Sequence, residues 1–424
     1  MIIPSIDLQE GRAVQLVGGR DLAVDGGAPE PWARRFGRVG LTAVVDLDAA
    51  RGRGDNTAAA RPLLDLAPCT VGGGIRDLAT ARRWLDAGAQ RVVLGTAATP
   101  ELLAELPPER VIVALDARHG KVLSHGWQTS TAATVEQRMA ELRPLAGGFL
   151  VTTVEREGRL GGIDLDRARE LKAVAGDRHL IVAGGVASPA DVGRLDALGI
   201  DAQVGMALYT DAFHEADAVA ACLRSDRPDG LWPTVICNQQ RQALGLAWSD
   251  AESLRTALES GRGVYRSRRR GLWVKGETSG DHQDLLRVEL DCDRDCLRFV
   301  VHQHGAGFCH LGSAGCFGDH GGLTGLQSTL ARRRTDAPAG SYTRRLLDDP
   351  VLLSAKLREE AGELAAARTP SEVAHEAADV LFFTLTAMTR AGVTLADVEA
   401  VLDRRALALT RRPGHAKPDQ EAAS

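Results

Sequence analysis

No apolar run in the 424 residues approaches the roughly 20 consecutive residues that a membrane span requires. The opening segment MIIPSIDLQEGR carries a proline and charges where a signal peptide needs an apolar stretch, so a cytoplasmic protein is expected. Charge of one sign is also missing. Lys and Arg number 51 against 56 Asp and Glu, a net charge of -5, which argues against a general nucleic-acid or anionic-membrane binder. Cysteine is scarce, with seven in all. An odd number clustered in one region fits metal binding better than a disulfide framework. The length exceeds one ordinary core and predicts two to four domains.

What is present is periodic. From 1 to about 224, short apolar runs (AVVDLD, CTVGGG, RVVLG, VIVALD, GFLVTTV, HLIVAGG, DAQVG) alternate with helical patterns, as in a parallel α/β fold. The stretch also repeats itself. IPSIDLQEGRA (3–13) aligns with IVALDARHGKV (112–122), laying Asp7 over Asp116 at a separation of 109 residues and Gly11 over Gly120. The same offset lays Asp46 over Glu155, and GGGIR (72–76) and LGTA (94–97) meet AGGVA (183–187) and VGMA (204–207). Two four-strand halves predict an eight-stranded (β/α)8 TIM barrel with its site at the carboxyl ends of the strands. Glycine-rich turns there let backbone amides approach phosphate. Gly73, Gly74, Gly95 and Thr96 in one half, with Gly184, Gly185 and Gly205 in the other, predict two phosphate sites across one mouth.

Near RSDRPDGLWP (224–233) the pattern stops at a polar connector and a second domain begins. Its ELDCDRDCLRF (289–299) alternates carboxylates and thiols. On a strand, Asp291, Asp293 and Asp295 would share one face, and Cys292 and Cys296 the other. Oxygen ligands suit Mg²⁺ and thiolates suit zinc, and Cys309, His310 and Cys316 follow closely. Beyond FGDHGGL the patterns turn wholly helical. Glu359 and Glu363 lie one helical turn apart with Glu360 beside them, and TPSE (369–372) is a capping box opening a helix with Glu376 and Asp379 at i, i+3. Carboxylates paired on two helices can converge on Mg²⁺. The tail PGHAKPDQEAAS (413–424) lacks an apolar pattern and is expected to be disordered.

These motifs carry three resemblances. IPSIDLQEGRAVQL, VVDLDAARGRGDN, VGGGIRD, LGTAA, LDARHGKV and GMALY resemble the histidine-biosynthesis isomerase that converts ProFAR to PRFAR, over residues 1–224. The resemblance implies an Amadori rearrangement without a cofactor and makes Asp7 a catalytic carboxylate. It puts Thr-Asp where this chain reads Thr152-Thr153, so Glu155, two residues further, is expected to supply the second carboxylate. Trp127 would stack on the substrate. Residues 231–319, through VYRSRRRGLWVKGETSG, LDCDRDC and FCHLGSAGCF, are similar to phosphoribosyl-AMP cyclohydrolase. That implies Mg²⁺ on Asp291, Asp293 and Asp295, and zinc on Cys292, Cys309 and Cys316 in a site shared across a dimer. His310 would act as a base, with Arg266, Arg268, Lys275 and GETSG on phosphate and ribose.

Residues 322–412, through GSYTRRLL and EEAGE…EAAD, resemble phosphoribosyl-ATP pyrophosphohydrolase, a small mixed α/β domain thus being followed by an all-α MazG-like one. This implies Mg²⁺ on the five helical carboxylates, Lys356 and Arg344 on phosphate, and a homodimer through the last two domains. Together the resemblances imply a trifunctional enzyme acting on small phosphoribosyl nucleotides. Two other assignments stay open: a bifunctional hydrolase with a non-catalytic phosphosugar-binding barrel, and a barrel that also isomerises phosphoribosylanthranilate.

Overall fold

The computed structural model describes residues 1–124 and 129–410. Trp127 and the tail 413–424 lie outside the described residues. Eight strands form the barrel of the first domain: β1 (Ile2–Gln9), β2 (Thr42–Asp46), β3 (Cys69–Gly72), β4 (Arg91–Leu94), β5 (Val111–Arg118), β6 (Gly148–Thr153), β7 (His179–Ala183) and β8 (Asp201–Val204). Each pairs in parallel with the next, and β8 returns to β1 through Ile2 opposite Ala202, which closes the barrel. The apolar runs suit strands covered on both sides. Inside, Ile3, Ala43, Ile112, Leu150, Ile181 and Ala183 pack together, and helices between the strands cover the outside.

The duplication is visible in the backbone. β1 and β5 each continue into an antiparallel hairpin, through Arg12–Val17 and Lys121–Ser124. Glu10 and Gly11 have φ of 51° and 76°, and His119 and Gly120 have 50° and 76°. Two successive left-handed residues make the tight turn that such hairpins favour.

The middle domain is a six-stranded mixed sheet of β9 (Trp232–Cys237), β10 (Ala243–Ser249), β11 (Val264–Ser267), β12 (Gly271–Val274), β13 (Gln283–Leu290) and β14 (Leu297–Gln303), in the order β12-β11-β10-β9-β14-β13. Only β9 and β14 pair in parallel. The expectation of a strand through Asp291–Cys296 fails. These residues form the turn between β13 and β14, Arg294 adopts φ of 67°, and Asp291 Oδ1 accepts the amides of Asp295 and Cys296 at 3.0 and 3.1 Å. An acceptor side chain that satisfies turn amides outcompetes ladder pairing here.

Five helices follow, at Gly322–Arg333, Tyr342–Asp348, Pro350–Ala366, Pro370–Ala391 and Leu395–Leu407. The capping box of Thr369 and Glu372 forms as expected, with Pro370 in the first turn. Leu346, Leu353 and Phe383 make a small core. Polar contacts join the domains: Arg38 Nη1 donates to Leu258 O at 2.8 Å, Arg294 pairs with Asp196 at 3.0 Å, and Arg404 pairs with Asp65 at 2.7 Å. No helix among the described residues is long and apolar enough to cross a membrane.

Candidate active sites

At the barrel mouth Asp7 sits near the end of β1, half-buried, and accepts a hydrogen bond from Ser5 Oγ at 2.6 Å. Burial pushes its carboxyl up to about 6, the Ser5 contact only partly opposing it. Asp116 occupies the repeat position on β5, which stands opposite β1 in an eight-stranded barrel, and shares its half-buried place in the strand pattern. Glu157 completes the group. Burial, with the negative charges of Asp7 and Asp116, raises its carboxyl to about 8, so it holds its proton at neutral pH while Asp7 is mostly ionised. Asp7, Glu157, Gly184, Gly185 and Gly205 line one cavity, and Gln15 joins them. Gln15 Nε2 is buried there without a hydrogen-bond partner, a polar group that a polar ligand would satisfy.

Glu155 does not reach this cavity. The extrapolation from Thr153 assumed a continuing strand, but β6 ends at Thr153 and a single 3-10 turn covers Val154–Arg156. Glu155 lines a separate cavity with Arg156, Asp164 and Arg167, and its Oε1 accepts the His119 amide at 3.0 Å. In the first half, Asp48 Oδ2 accepts the Glu10 amide at 2.7 Å. Since Glu10 and His119 are repeat partners, Glu155 is the counterpart of Asp48 and pins a hairpin turn. The register laying Asp46 over Glu155 is therefore two residues out: Asp46 and Thr153 both end strands and precede short helical turns. The glycines agree. A Cβ on Gly73 would lie 2.2 Å from Asp46 O and one on Gly184 would lie 2.6 Å from Thr153 O, so in both halves only glycine lets the two turns meet.

The two expected phosphate cradles divide accordingly. Gly184, Gly185 and Gly205 share the cavity of Asp7. Gly73 and Gly74 follow β3, and Gly95 and Thr96 lie exposed just beyond β4, on the other side of the mouth.

In the middle domain Asp291, Asp293 and Asp295 present ligand atoms within 4.8 Å of one another. The hydrogen bond to Asp291 and the charges of its neighbours raise the Asp295 carboxyl, a repulsion that a divalent cation would relieve. This donor set fits Mg²⁺. Cys309 and Cys316 share a hydrogen bond, and the Leu311 amide, Ser313 and Cys316 lower the Cys309 thiol, which suits a thiolate metal ligand. Cys292 stands exposed on the acidic turn and forms no three-ligand group with them among the described residues, so one chain brings two of the three expected zinc thiols together. Lys275 is buried, donates to Asp281 O at 3.0 Å and lies close enough to both thiols to feel their charge. His310 and Arg268 are exposed. Arg268 lies over the Trp248 ring at 5.4 Å.

In the helical domain Glu360, Glu363 and Glu376 converge within 4.8 Å, on the facing helices Pro350–Ala366 and Pro370–Ala391. Burial and the charges of Glu360 and Glu376 raise the Glu363 carboxyl. Glu359 and Asp379 are exposed and outside this trio. Lys356, expected on phosphate, ion-pairs with Glu359 at 2.8 Å and Glu360 at 2.7 Å. Asp116, Glu157 and Gln15 were missed as site residues. The repeat placed Asp116 on Asp7 and was the available signal for it, whereas the other two become visible only through burial.

A duplicated barrel with carboxyls across its mouth, joined to two domains that each gather acidic ligands, places the chain among multidomain enzymes built on a (β/α)8 barrel. It belongs to the histidine biosynthesis protein family, whose model matches residues 1–214, half of the chain. Residues 245–318 match phosphoribosyl-AMP cyclohydrolase and residues 323–406 match phosphoribosyl-ATP pyrophosphohydrolase. A histidine biosynthesis trifunctional protein of Komagataella pastoris is 47% identical over 224 residues, which is 53% of this chain and 27% of the relative. A histidine biosynthesis bifunctional protein of Schizosaccharomyces pombe is 48% identical over 202 residues, 48% of each chain. A phosphoribosyl imidazole-4-carboxamide isomerase of Deinococcus radiodurans is 44% identical over 227 residues, covering 49% of this chain and 93% of the relative. The chain thus spans only 27% and 48% of the first two, multifunctional, relatives.

Proposed function

We propose that the chain carries three consecutive activities of histidine biosynthesis: hydrolysis of phosphoribosyl-ATP to phosphoribosyl-AMP and pyrophosphate, opening of the adenine ring to ProFAR, and isomerisation of ProFAR to PRFAR. The observation that carries this reading is the succession of three matched domains, each with a ligand or acid-base cluster suited to its step.

In the barrel, Asp7 and Asp116 act from opposite walls. One protonates the ribose ring oxygen as the ring opens, and the other removes the proton from C2 of the opened sugar to give the enolamine, which regains a proton at C1 as the C2 hydroxyl gives up its own to become the ketone. A carboxyl near 6 can both take and return a proton near neutrality, which suits Asp7. Glu157, protonated at pH 7, keeps a third negative charge out of the site. Gly184, Gly185 and Gly205 receive one phosphate, and Gly73, Gly74, Gly95 and Thr96 the other.

In the middle domain Asp291, Asp293 and Asp295 would hold Mg²⁺. Cys309 and Cys316 would hold zinc, with Cys292 of a second copy of the chain completing the set in a homodimer. Zinc bound there supplies a water acidified to near neutrality. His310 moves a proton beside it, while Lys275 and Arg268 orient phosphate and ribose. In the helical domain Glu360, Glu363 and Glu376 would hold Mg²⁺, with Glu359 and Asp379 at the rim, and Lys356 exchanges its carboxylate partners for phosphate. The test is to give the full chain phosphoribosyl-ATP and follow products by mass for the two hydrolytic steps and by chromatography against authentic ProFAR and PRFAR, which are isomers of equal mass, for the last. Accumulation of PRFAR supports all three steps, and arrest at ProFAR removes the isomerase from the account.

A further inference from the structure

Away from these clusters, the open end of the β13–β14 pair gathers a different set of side chains. The strands run antiparallel with Asp284 opposite His302, and the ladder extends one step further where the His304 amide donates to His282 O at 2.9 Å. Residues two apart on a strand share a face, so His282 and Asp284 on one strand and His302 and His304 on the other project from the same side. The rings of His282 and His304 stack with centroids 4.2 Å apart, and His302 meets His304 edge-on at 4.5 Å.

The arrangement is that of a ligand set. His282, Asp284 and His304 are each half-buried and offer ligand atoms within 4.8 Å of one another. His304 Nε2 lies 2.7 Å from Asp284 Oδ2, while Arg262 engages the other oxygen at 3.2 Å and orients the carboxylate. His282 Nδ1 lies 3.1 Å from Gly280 O. Donating that proton fixes the tautomer and leaves Nε2 a free lone pair, the outer-sphere device that metal-binding histidines use. His302 Nδ1 is anchored in the same way, 3.0 Å from Gln239 Oε1.

We propose that His282, Asp284 and His304 bind a borderline divalent transition metal such as Zn²⁺, with His302 beside them as a supplementary ligand, at a site separate from the acidic turn and the cysteine pair. Two imidazoles and a carboxylate are the donor set such ions prefer, and oxygen-loving Mg²⁺ would not compete for it. An ion there would also tie the loop leading to His282 onto both strands.

The test is a Co²⁺ titration of the chelator-stripped full-length chain, comparing wild type with the double variant His282→Asn/His304→Asn and with Asp284→Asn. Thiolate ligands give an intense near-ultraviolet sulfur-to-cobalt band, whereas a nitrogen and oxygen site gives only visible ligand-field bands, so the two kinds of site are counted separately. With excess Mg²⁺ present to fill the two carboxylate clusters, wild type is expected to take up one equivalent of Co²⁺ free of the sulfur band, and to melt at a higher temperature when Zn²⁺ is added. Both variants should lose that equivalent while keeping any sulfur band, and Asp284→Asn, which removes only a half-exposed charge, gives the answer if the double variant folds poorly. Unchanged uptake in the variants, or no sulfur-free equivalent in wild type, overturns the proposal whatever the enzymatic activities prove to be.

Discussion

The two halves of the barrel share a backbone and differ in what their carboxylates do. Both halves turn a hairpin at matching left-handed pairs, Glu10-Gly11 and His119-Gly120, and both fasten that turn with a carboxylate, Asp48 or Glu155. In the first half the strand end is Asp46, buried, with Oδ1 accepting from the Ala49 amide at 2.9 Å and Asn56 Nδ2 at 2.8 Å, and Oδ2 from the Asn56 amide at 2.6 Å. In the second half the strand end is Thr153, and the buried acid lies four residues on at Glu157, whose carboxyl burial and like charges raise. A carboxylate saturated by amide donors holds the fold. One left poorly partnered among other acids keeps its proton instead.

The largest effect expected from this contrast is on turnover. Asp7→Asn should lower ProFAR isomerisation by about 100-fold or more, the usual scale of a lost general acid or base, with the melting temperature unchanged or raised. A loss smaller than about threefold would remove the first half from the chemistry.

A pH-dependent stability difference should come next. Glu157 has a folded-state pKa of about 8 against an ordinary glutamate value of 4.5, so the folded chain keeps a proton that the unfolded chain releases across that window. Its contribution is full below about pH 4.5 and is lost as pH rises through about 8. Glu157→Gln should therefore be more stable than wild type at pH 9, by about 2 kcal/mol after allowing for solvent screening, and the gap should close by pH 4.5. Denaturant unfolding at both values checks it, and a gap independent of pH would assign the effect to packing.

Asp46→Ala should destabilise the chain by about 2 kcal/mol by stranding the Asn56 and Ala49 donors. Thr153→Ala, at the equivalent place without that network, should cost less than about 1 kcal/mol. Equal losses would mean that the halves are held in the same way.

The sequence showed the barrel because duplicated glycine turns and strand ends survive as short motifs, and it grouped Asp291, Asp293 and Asp295 correctly. It misread their backbone because alternating residues on a tight turn and on a strand look alike in one dimension. Glu155 went astray for a related reason. A fixed offset of 109 holds along Asp7 and Asp116 but falls to 107 at the ends of β2 and β6, because the second half has two residues fewer between the matching positions of its first two strands. Glu157 carries no motif, since its acidity comes from burial beside Asp7 and Asp116, and the His282–Asp284–His304 set depends on a cross-strand register that only the folded chain reveals.

The central claim is that Asp116, and not Glu155, is the second-half partner of Asp7, and it is tested by ProFAR turnover of Asp116→Asn and Glu155→Gln in the full-length chain, measured side by side. The account predicts a loss of about 100-fold or more for Asp116→Asn and less than about threefold for Glu155→Gln. A collapse of turnover in Glu155→Gln with Asp116→Asn still active would contradict it.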